Sequence, residues 1–156
     1  MNDYVMSMRK LIGKEMLLTV GCGAIIEDSE GRILLQRRKD QNNWCIPGGV
    51  MDIGEMFEET CKREVIEETN LNILNLRLFG IYSGKEGIKE YPNGDKIFSV
   101  QIIFYTKDYE GVLKSEGDES FEHGFFGRSE LPSPLNSAQE RFILDWKNGV
   151  QDIVVK

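Results

Sequence analysis

Several features are scarce or missing in this chain of 156 residues, and each absence excludes a class of protein. No apolar run approaches the roughly 20 residues that a helix needs to cross a bilayer, and no signal peptide opens the chain. We therefore expect a cytoplasmic protein that does not enter a membrane. The three cysteines are an odd number without CxxC spacing, so we interpret them as small buried side chains rather than as a redox centre.

Basic residues are in the minority, which limits the partners that this protein can have. The chain carries 19 lysines and arginines against 26 aspartates and glutamates, which gives a net charge of −7. A groove for long nucleic acid or a site for an anionic membrane surface needs a basic face, so both are disfavoured. A small anionic substrate stays compatible with this charge, because a bound cation can reverse the local sign.

The residues that are present indicate one globular domain over positions 1–156, since 40% apolar and 29% charged residues are ordinary for such a fold. The order of the patterns indicates α+β or a sheet sandwiched between helices, not a regular βαβ array. Asp28–Gly31 and Pro92–Asp95 have the composition of tight hairpin turns. The other predicted elements are an amphipathic helix through Tyr4, Met8, Leu11 and Ile12, strands at Leu17–Ile26, Ile33–Arg38, Ile73–Tyr82, Phe98–Thr106 and Glu122–Phe126, and a helix at Ser137–Trp146.

A further helix, from Glu55 to Thr69, is predicted to carry the chemistry. Asp52 to Glu55 have the spacing of a capping box at its start, and Asn70 tolerates the left-handed conformation in which helices end. On a helical wheel at about 100° per residue, Glu64 and Glu68 fall within or at the edge of the apolar face. Glu67 lies on its flank, and the apolar face itself is formed by Phe57, Cys61 and Val65.

These three glutamates point where acids are unfavourable. A carboxylate turned toward the core costs several kcal/mol unless it is paired, and the last turn of a helix disfavours acids by a further ~0.3–1 kcal/mol each. Hard oxygen ligands at i, i+3 and i+4 predict Mg²⁺ or Mn²⁺ rather than zinc. The only histidine, His123, is interpreted as a loop residue. The alternative is a solvated acidic helix end, with the phase of the wheel shifted by a residue or two.

At this point the residues resemble a known pattern, the 23-residue Nudix box from Gly49 to Leu71. Gly49, Glu55 and the run from Arg63 to Glu68 stand at its defining spacing. Asn70 stands where the family usually has glycine, and both residues can end a helix in the left-handed conformation. The flanks are also similar to the family, so that the resemblance extends from about Val20 to Trp146: Ile33–Arg38, Trp44–Gly49 and Phe125–Pro132.

The resemblance implies an α/β fold, an α/β/α sandwich with a mixed β-sheet between helices and the box as a loop–helix–loop. It also implies a MutT-like hydrolase, a Mg²⁺-dependent pyrophosphohydrolase in which metal-activated water attacks phosphorus. The metal ligands implied in this way are the backbone carbonyl of Gly49 and the side chains of Glu64, Glu67 and Glu68. Glu55 would support the metal site or pair with Arg63, and Arg63 would have a structural role in which it orients a neighbouring glutamate.

The base that accepts the proton of the attacking water is not fixed by the resemblance. It is a box glutamate, Glu67 or Glu68, or a glutamate from a later acidic loop. Glu119 and Glu122 both lie in that loop, and we favour Glu122 of the two. Their alternative interpretation is an ordinary solvated acidic loop.

Two arginines before the box are candidate substrate ligands. Arg37 and Arg38 are adjacent in a predicted strand, so their side chains face opposite sides and at most one should reach a bound phosphate. Trp44 could stack on a base, but a partly buried structural aromatic is the favoured interpretation.

The substrate itself is left open between a nucleoside diphosphate linked to another group and a nucleoside triphosphate. Family markers for ADP-ribose and dinucleoside polyphosphates, a Pro or a Tyr 15 to 17 residues beyond the box, are absent from Glu86–Ile88. A homodimer also stays open, since no residue pattern fixes the oligomeric state. The rival hypotheses are an inactive Nudix-fold nucleotide sensor and an unrelated protein with a solvated acidic helix.

Overall fold

The computed structural model describes residues 3–115 and 117–156. Three helices lie in the described residues, and none of them is long and apolar enough to span a bilayer. They are α1 (Asp3–Ile12), α2 (Phe57–Thr69) and α3 (Glu140–Lys147). The strands are β1 (Leu17–Ile26), β2 (Ile33–Arg38), β3 (Trp44–Cys45), β4 (Gly48–Val50), β5 (Asn72–Ile73), β6 (Arg77–Tyr82), β7 (Ile88–Glu90), β8 (Lys96–Thr106), β9 (Tyr109–Glu110), β10 (Ser120–Phe126) and β11 (Val154–Val155).

The larger sheet is mixed, with the strand order β11–β6–β8–β1–β4 and β7 beside β8. Its centre is the long parallel ladder between β1 and β8, which joins Leu17 to Ile97 and continues to Ile26 and Thr106. β6, β7 and β4 join this centre in antiparallel pairs. A smaller antiparallel sheet has the order β10–β2–β3, and β5 pairs with β9.

Alternation along the central strands places one apolar core on each face of the larger sheet. Ile25 and Ile103 pack with Phe142 of α3, whereas Ala24 and Ile102 pack with Val65 of α2. Successive side chains of a strand point to opposite faces, so a continuous apolar run serves both cores. The result is the predicted α/β/α sandwich with a mixed sheet between helices.

The first two strands have the predicted bounds, and the predicted tight turn joins them, although the antiparallel pairing across it is limited to one bridge. The turn forms, because Gly31 N–H donates to Asp28 O at 3.1 Å. Beyond the isolated bridge from Glu27 to Ile33, however, β1 and β2 do not pair and enter different sheets. The second predicted hairpin is confirmed, since β7 and β8 pair across Pro92–Asp95.

The central helix begins at Phe57, two residues later than predicted. The Glu55 carboxylate accepts a hydrogen bond from Asp52 N–H at 2.9 Å, as a capping box would. A second hydrogen bond of the same kind, which Met56 N–H donates to the Glu59 carboxylate at 2.8 Å, caps the first turn of the observed helix. The predicted end is confirmed, because Asn70 is left-handed with φ of 67°.

Four other details differ from the sequence prediction. Leu11 is 80% exposed although α1 forms, so it does not lie on the buried side of that helix. The predicted strand at 73–82 is divided into β5 and β6, and α3 begins at Glu140 rather than at Ser137. His123 lies within β10 and is not a loop residue. The interpretation of the cysteines as buried thiols is confirmed for Cys22, Cys45 and Cys61.

Candidate active site

Gly49 and Glu64 are in direct contact where β4 meets α2. A Cβ atom added to Gly49 would lie 2.3 Å from Cδ of Glu64, far closer than any real side chain approaches. β4 is held against β1 by the antiparallel pairing of Gly49 with Cys22, so the backbone has little freedom to retreat. A glycine at this position is therefore what lets a carboxylate lie against the backbone of β4.

Arg63 fixes the carboxylates on either side of it. Its Nε and Nη2 donate to the two oxygens of Glu55 at 2.6 and 3.0 Å, and its Nη1 donates to Glu64 Oε1 at 2.7 Å. The hydrogen bond from Arg63 lowers the pKa of Glu55 to about 2. Burial raises the pKa of Glu64, against the bond from Arg63 that lowers it. The pairing expected for Glu55 and Arg63 is thus present in the structure.

Glu68 is the most strongly perturbed acid of the helix. Burial raises its pKa to about 8, while the hydrogen bond from Gln36 opposes that rise and the charges of Glu64 and Glu119 add to it. Its Oε2 accepts hydrogen bonds from Gln36 Nε2 and, at 3.4 Å, from Gly48 N–H. Glu68 and Glu64 therefore turn inward, as the helical wheel predicted.

Glu67 differs from its two neighbours because its side chain is 59% exposed and lies 3.7 Å from Arg63 Nη1. Within residues 3–115 and 117–156, no three acidic, histidine or cysteine side chains are arranged to hold an ion as they stand. Like charges repel, and the three glutamates are divided between two partners, with Glu64 and Glu67 at Arg63 and Glu68 at Gln36. The donor set still fits a hard divalent ion, because it consists of carboxylate oxygens beside a backbone that only glycine leaves open.

A cleft opens beside these carboxylates on one face of the larger sheet. Thr19, Gly21 and Gly23 of β1 contribute to its lining, and Gly48 and Gly49 of β4 form the wall that the cleft shares with the glutamates. Glycine weakens the interior of a strand and marks places where a ligand or another backbone comes close. The remaining lining includes polar and aromatic side chains: Arg38, Lys89, Tyr91, Ser99, Gln101, Asn136 and Gln139.

A buried polar group in this cleft lacks a hydrogen-bond partner among the described residues, and a second, partly buried polar side chain is fixed in place. Thr19 is 2% exposed, and its hydroxyl has no hydrogen-bond partner among the described residues. Gln139 accepts from Ile46 N–H at 2.8 Å through its carbonyl oxygen, which fixes the side chain at the start of α3. Unsatisfied buried polar groups are rare in folded proteins, so the Thr19 hydroxyl marks the cleft as a place for a polar ligand.

The structure separates the two candidate arginines, as strand alternation requires. Arg38 lines the cleft, and Asp40 holds its guanidinium through two hydrogen bonds of 2.9 Å. Arg37 instead lies 3.3 Å from Glu122, its partner across the β2–β10 ladder. Directly opposite residues share a face of a sheet, so Arg37 and Glu122 lie on the other side from the Gln36–His123 pair.

The two loop glutamates are therefore placed differently. Glu122 is not brought together with the box glutamates, because β10 presents His123 to that side instead. Glu119 precedes β10, and its charge raises the pKa of both Glu64 and Glu68. Trp44 is buried and meets Phe126 edge to face at 5.0 Å, which confirms its structural interpretation.

Comparison with known proteins decides the family. The NUDIX domain family model matches residues 17–146, most of the chain and all of the site described above. The chain belongs to the Nudix family. It is a Nudix hydrolase of mixed α/β architecture, as its relatives and the solved structures that resemble it also indicate.

Two curated relatives and one solved structure illustrate the range of this likeness. A putative 8-oxo-dGTP diphosphatase of Bacillus subtilis is 32% identical over 139 residues, covering 89% of this chain and 87% of the relative. An ADP-ribose pyrophosphatase of Methanocaldococcus jannaschii is 35% identical over 135 residues, covering 83% and 75%. A MutT NUDIX hydrolase from Burkholderia pseudomallei superposes with a TM-score of 0.70 at 28% identity, covering 86% of this chain and 99% of the other.

Sequence reasoning missed several residues around the Nudix box of this hydrolase. Lys89 and Tyr91 reach the cleft from β7 and the turn after it, and only the β7–β8 pairing brings them there. Gln36 was visible as the one uncharged polar residue of an otherwise apolar and cationic strand, Ile33–Arg38. Its contact with Glu68, 32 positions away, had no signal in the sequence.

Proposed function

We propose that this Nudix hydrolase cleaves a phosphoanhydride bond in a nucleoside diphosphate linked to another group, or in a nucleoside triphosphate, with Mg²⁺ or Mn²⁺. One observation carries the proposal: the cleft and the box glutamates share the wall of Gly48 and Gly49. A nucleotide seated in the cleft would therefore present its diphosphate to Glu64 and Glu68. The names of the two curated relatives, with 8-oxo-dGTP and ADP-ribose, support a nucleotide-type substrate.

The divalent ion would be held by Glu64, Glu67 and Glu68 together with the backbone carbonyl of Gly49. When bound, such an ion neutralises a diphosphate and lowers the pKa of a water molecule beside it. Arg63 keeps one oxygen of Glu64 in place, and its bond to Glu55 in turn restrains Arg63. Arg63 thereby holds Glu64 in position before the substrate arrives.

A water molecule would attack phosphorus in line, and a carboxylate must accept its proton. Glu67 is the accessible acid of the box, and Glu68 is the buried one. Among the later glutamates we now propose Glu119 in preference to Glu122. The charge of Glu119 acts on the box glutamates, whereas Glu122 is paired with Arg37 on the other face of β10.

Arg38 is the arginine proposed to bind the substrate, because it lines the cleft and its guanidinium is held in place by two hydrogen bonds to Asp40. A guanidinium held in this way loses little conformational freedom when it binds a phosphate or a base. The uncharged polar side chains of the cleft, among them Gln101 and Gln139, supply hydrogen bonds for a nucleoside.

The test is a substrate panel of nucleoside triphosphates, ADP-ribose and nucleotide sugars, each with Mg²⁺ and with Mn²⁺. Release of phosphate, pyrophosphate and nucleoside monophosphate is measured for the wild type, Glu67→Gln and Glu58→Gln. We expect turnover of at least one nucleotide and a loss of roughly 10²- to 10⁴-fold in Glu67→Gln, the range for removing a general base. Glu58→Gln, on the exposed side of the same helix, should match the wild type.

Two results would contradict the proposal. Nucleotide binding without turnover of any substrate, with either metal, would support the sensor hypothesis instead. Full activity of Glu67→Gln would show that this residue is neither the base nor a required metal ligand.

A further inference from the structure

Three side chains form a row across the smaller sheet, directly beneath Glu68. His123 of β10 and Cys45 of β3 are the ladder partners of Gln36 in β2. Directly opposite residues lie on the same face of an antiparallel sheet, so Gln36 is flanked on both sides. Gln36 is 4% exposed, and Glu68 of α2 lies on it from above. A buried amide of this kind needs partners for both its oxygen and its nitrogen.

The hydrogen bonds of Gln36 fix which way its amide points. A carboxylate that binds a metal ion is ionised and only accepts, so with Glu68 in that form the amide nitrogen is the atom that faces it, as found. The amide oxygen then faces His123, whose Nε2 lies 3.1 Å away. Because that oxygen only accepts, His123 Nε2 must carry a hydrogen, whether or not the ring as a whole is charged. A rotation of the amide by half a turn would set oxygen against carboxylate and break both bonds.

We propose that Gln36 is a positioning residue for Glu68, which holds this carboxylate in the orientation that binds the divalent ion, and that His123 keeps the amide from turning. The inference rests on the proposed function of Glu68 as a metal ligand. Neither residue touches the ion or the substrate in this assignment. Partners in the shell behind metal ligands typically change metal affinity or activity about 10- to 100-fold when they are removed.

Of the three box glutamates, Glu68 is the one that accepts a hydrogen bond from Gln36. Glu64 is positioned by Arg63 and by the backbone of Gly49, and Glu67 is exposed beside Arg63. Glu68 has no contact with Arg63 among the described hydrogen bonds and ion pairs, and its side-chain donor is Gln36. Without that donor only the 3.4 Å bond from Gly48 N–H would orient the carboxylate.

The experiment measures the affinity for Mn²⁺ alone by electron paramagnetic resonance, without substrate and without turnover. Gln36→Met keeps a similar volume and removes the donor, so we expect Mn²⁺ to bind about 10- to 100-fold more weakly. Cys45→Ala is the matched control, since it removes a buried side chain of the same row and with it only the weak hydrogen bond that Gln36 Nε2 donates to Cys45 Sγ at 3.9 Å. Its Mn²⁺ affinity should stay within twofold of the wild type.

His123→Phe tests the second half of the proposal. It keeps a ring at this position but removes the donor to Gln36, so we expect a smaller loss of Mn²⁺ affinity, about three- to tenfold. Thermal unfolding of each metal-free variant shows whether it folds. If Gln36→Met does not fold, Gln36→Glu keeps the shape and replaces the donor with a carboxylate, and its affinity should fall at least as far.

The outcomes separate this inference from the proposed function. If a folded Gln36→Met or Gln36→Glu binds Mn²⁺ like the wild type while Glu68→Gln binds weakly, Gln36 has no positioning role and the metal site stands. If Glu68→Gln also binds Mn²⁺ like the wild type, the metal site itself is wrong. Wild-type affinity in His123→Phe would overturn the role given to His123.

Discussion

Gly49 is important for the site because it has no side chain. The carboxylate of Glu64 occupies the space where a Cβ would stand, so the backbone of β4 and a proposed metal ligand share one small volume. This contact, rather than a turn or a positive φ, explains a glycine in a strand next to the cleft. The same contact would bring the Gly49 carbonyl and Glu64 to one ion.

Gly49→Ala should therefore disable catalysis without unfolding the protein. The added methyl group would displace the Glu64 carboxylate, and we expect kcat/KM to fall at least tenfold, about 1.4 kcal/mol or more of transition-state stabilisation. Gly127→Ala is the matched control, because its new Cβ would meet nothing closer than 3.8 Å. Steady-state kinetics and thermal unfolding of both variants check the prediction. Equal activity in the two variants would contradict it.

Glu68 should make the stability of the metal-free protein depend on pH in a particular direction. Burial raises its pKa from 4.5 to about 8. Between these values the folded protein holds a proton that the unfolded chain has released, so the free energy of unfolding falls as the pH rises from about 4.5 to about 8. Urea denaturation in the presence of a chelator measures this quantity at each pH.

Glu68→Gln should remove this part of the pH dependence, because its amide does not titrate. Glu67→Gln should keep it, since that side chain is 59% exposed. The informative quantity is the difference in unfolding free energy between wild type and Glu68→Gln. A difference that stays constant from pH 4.5 to pH 8 would show that Glu68 is not desolvated in the folded protein.

Among the elements, α2 is the one whose end is most sharply defined. Asn70 stops the helix in the left-handed conformation, and its Nδ2 donates to Val112 O at 2.9 Å. The stop comes directly after the last turn, which holds Glu67 and Glu68. An asparagine thus does at this position what glycine does in most Nudix boxes, and it adds a contact to the segment after β9.

Asn70→Ala should destabilise the protein by about 1–2 kcal/mol, the cost of a left-handed conformation for a residue with a Cβ and no local hydrogen bond. Asn70→Gly accepts that conformation without strain, so it should lie closer to the wild type although it also loses the bond to Val112. Urea denaturation of both variants gives the comparison. If glycine costs as much as alanine, the hydrogen bond and not the conformation is what matters.

The elements also show which parts of the fold can be predicted from local pattern. β1 and β2 were predicted with their observed bounds, because continuous apolar runs flanked by turn residues are local signals. Their pairing beyond one bridge beside the turn could not be judged in this way, because the choice of strand partner depends on residues far along the chain. β1 pairs with β8, some 80 positions away, and the turn at Asp28–Gly31 only changes the direction of the backbone.

At the scale of the whole molecule, part of the site could be predicted from local pattern, and part of it depends on residues that are distant in the sequence. The acids of the box could be predicted because they share one helix, where a spacing of three or four residues already fixes proximity. The cleft could not, because its lining comes from β1, β4, β8, the turn after β7 and the start of α3. Glu122 was preferred over Glu119 on position alone, and only the β2–β10 register shows that it faces Arg37.

The separation of β1 from β2 has a consequence for the molecule as a whole. Thr19 and Gly21 belong to the larger sheet and Arg38 to the smaller one, yet all three line the same cleft. Within residues 3–115 and 117–156, the ladders cross from one sheet to the other only at the isolated Glu27–Ile33 bridge beside the turn. A nucleotide lying across the cleft would therefore act as a removable crosslink between two sheets. The two sheets already share both apolar cores, so a bound nucleotide would add to their cohesion and its release would remove only that addition.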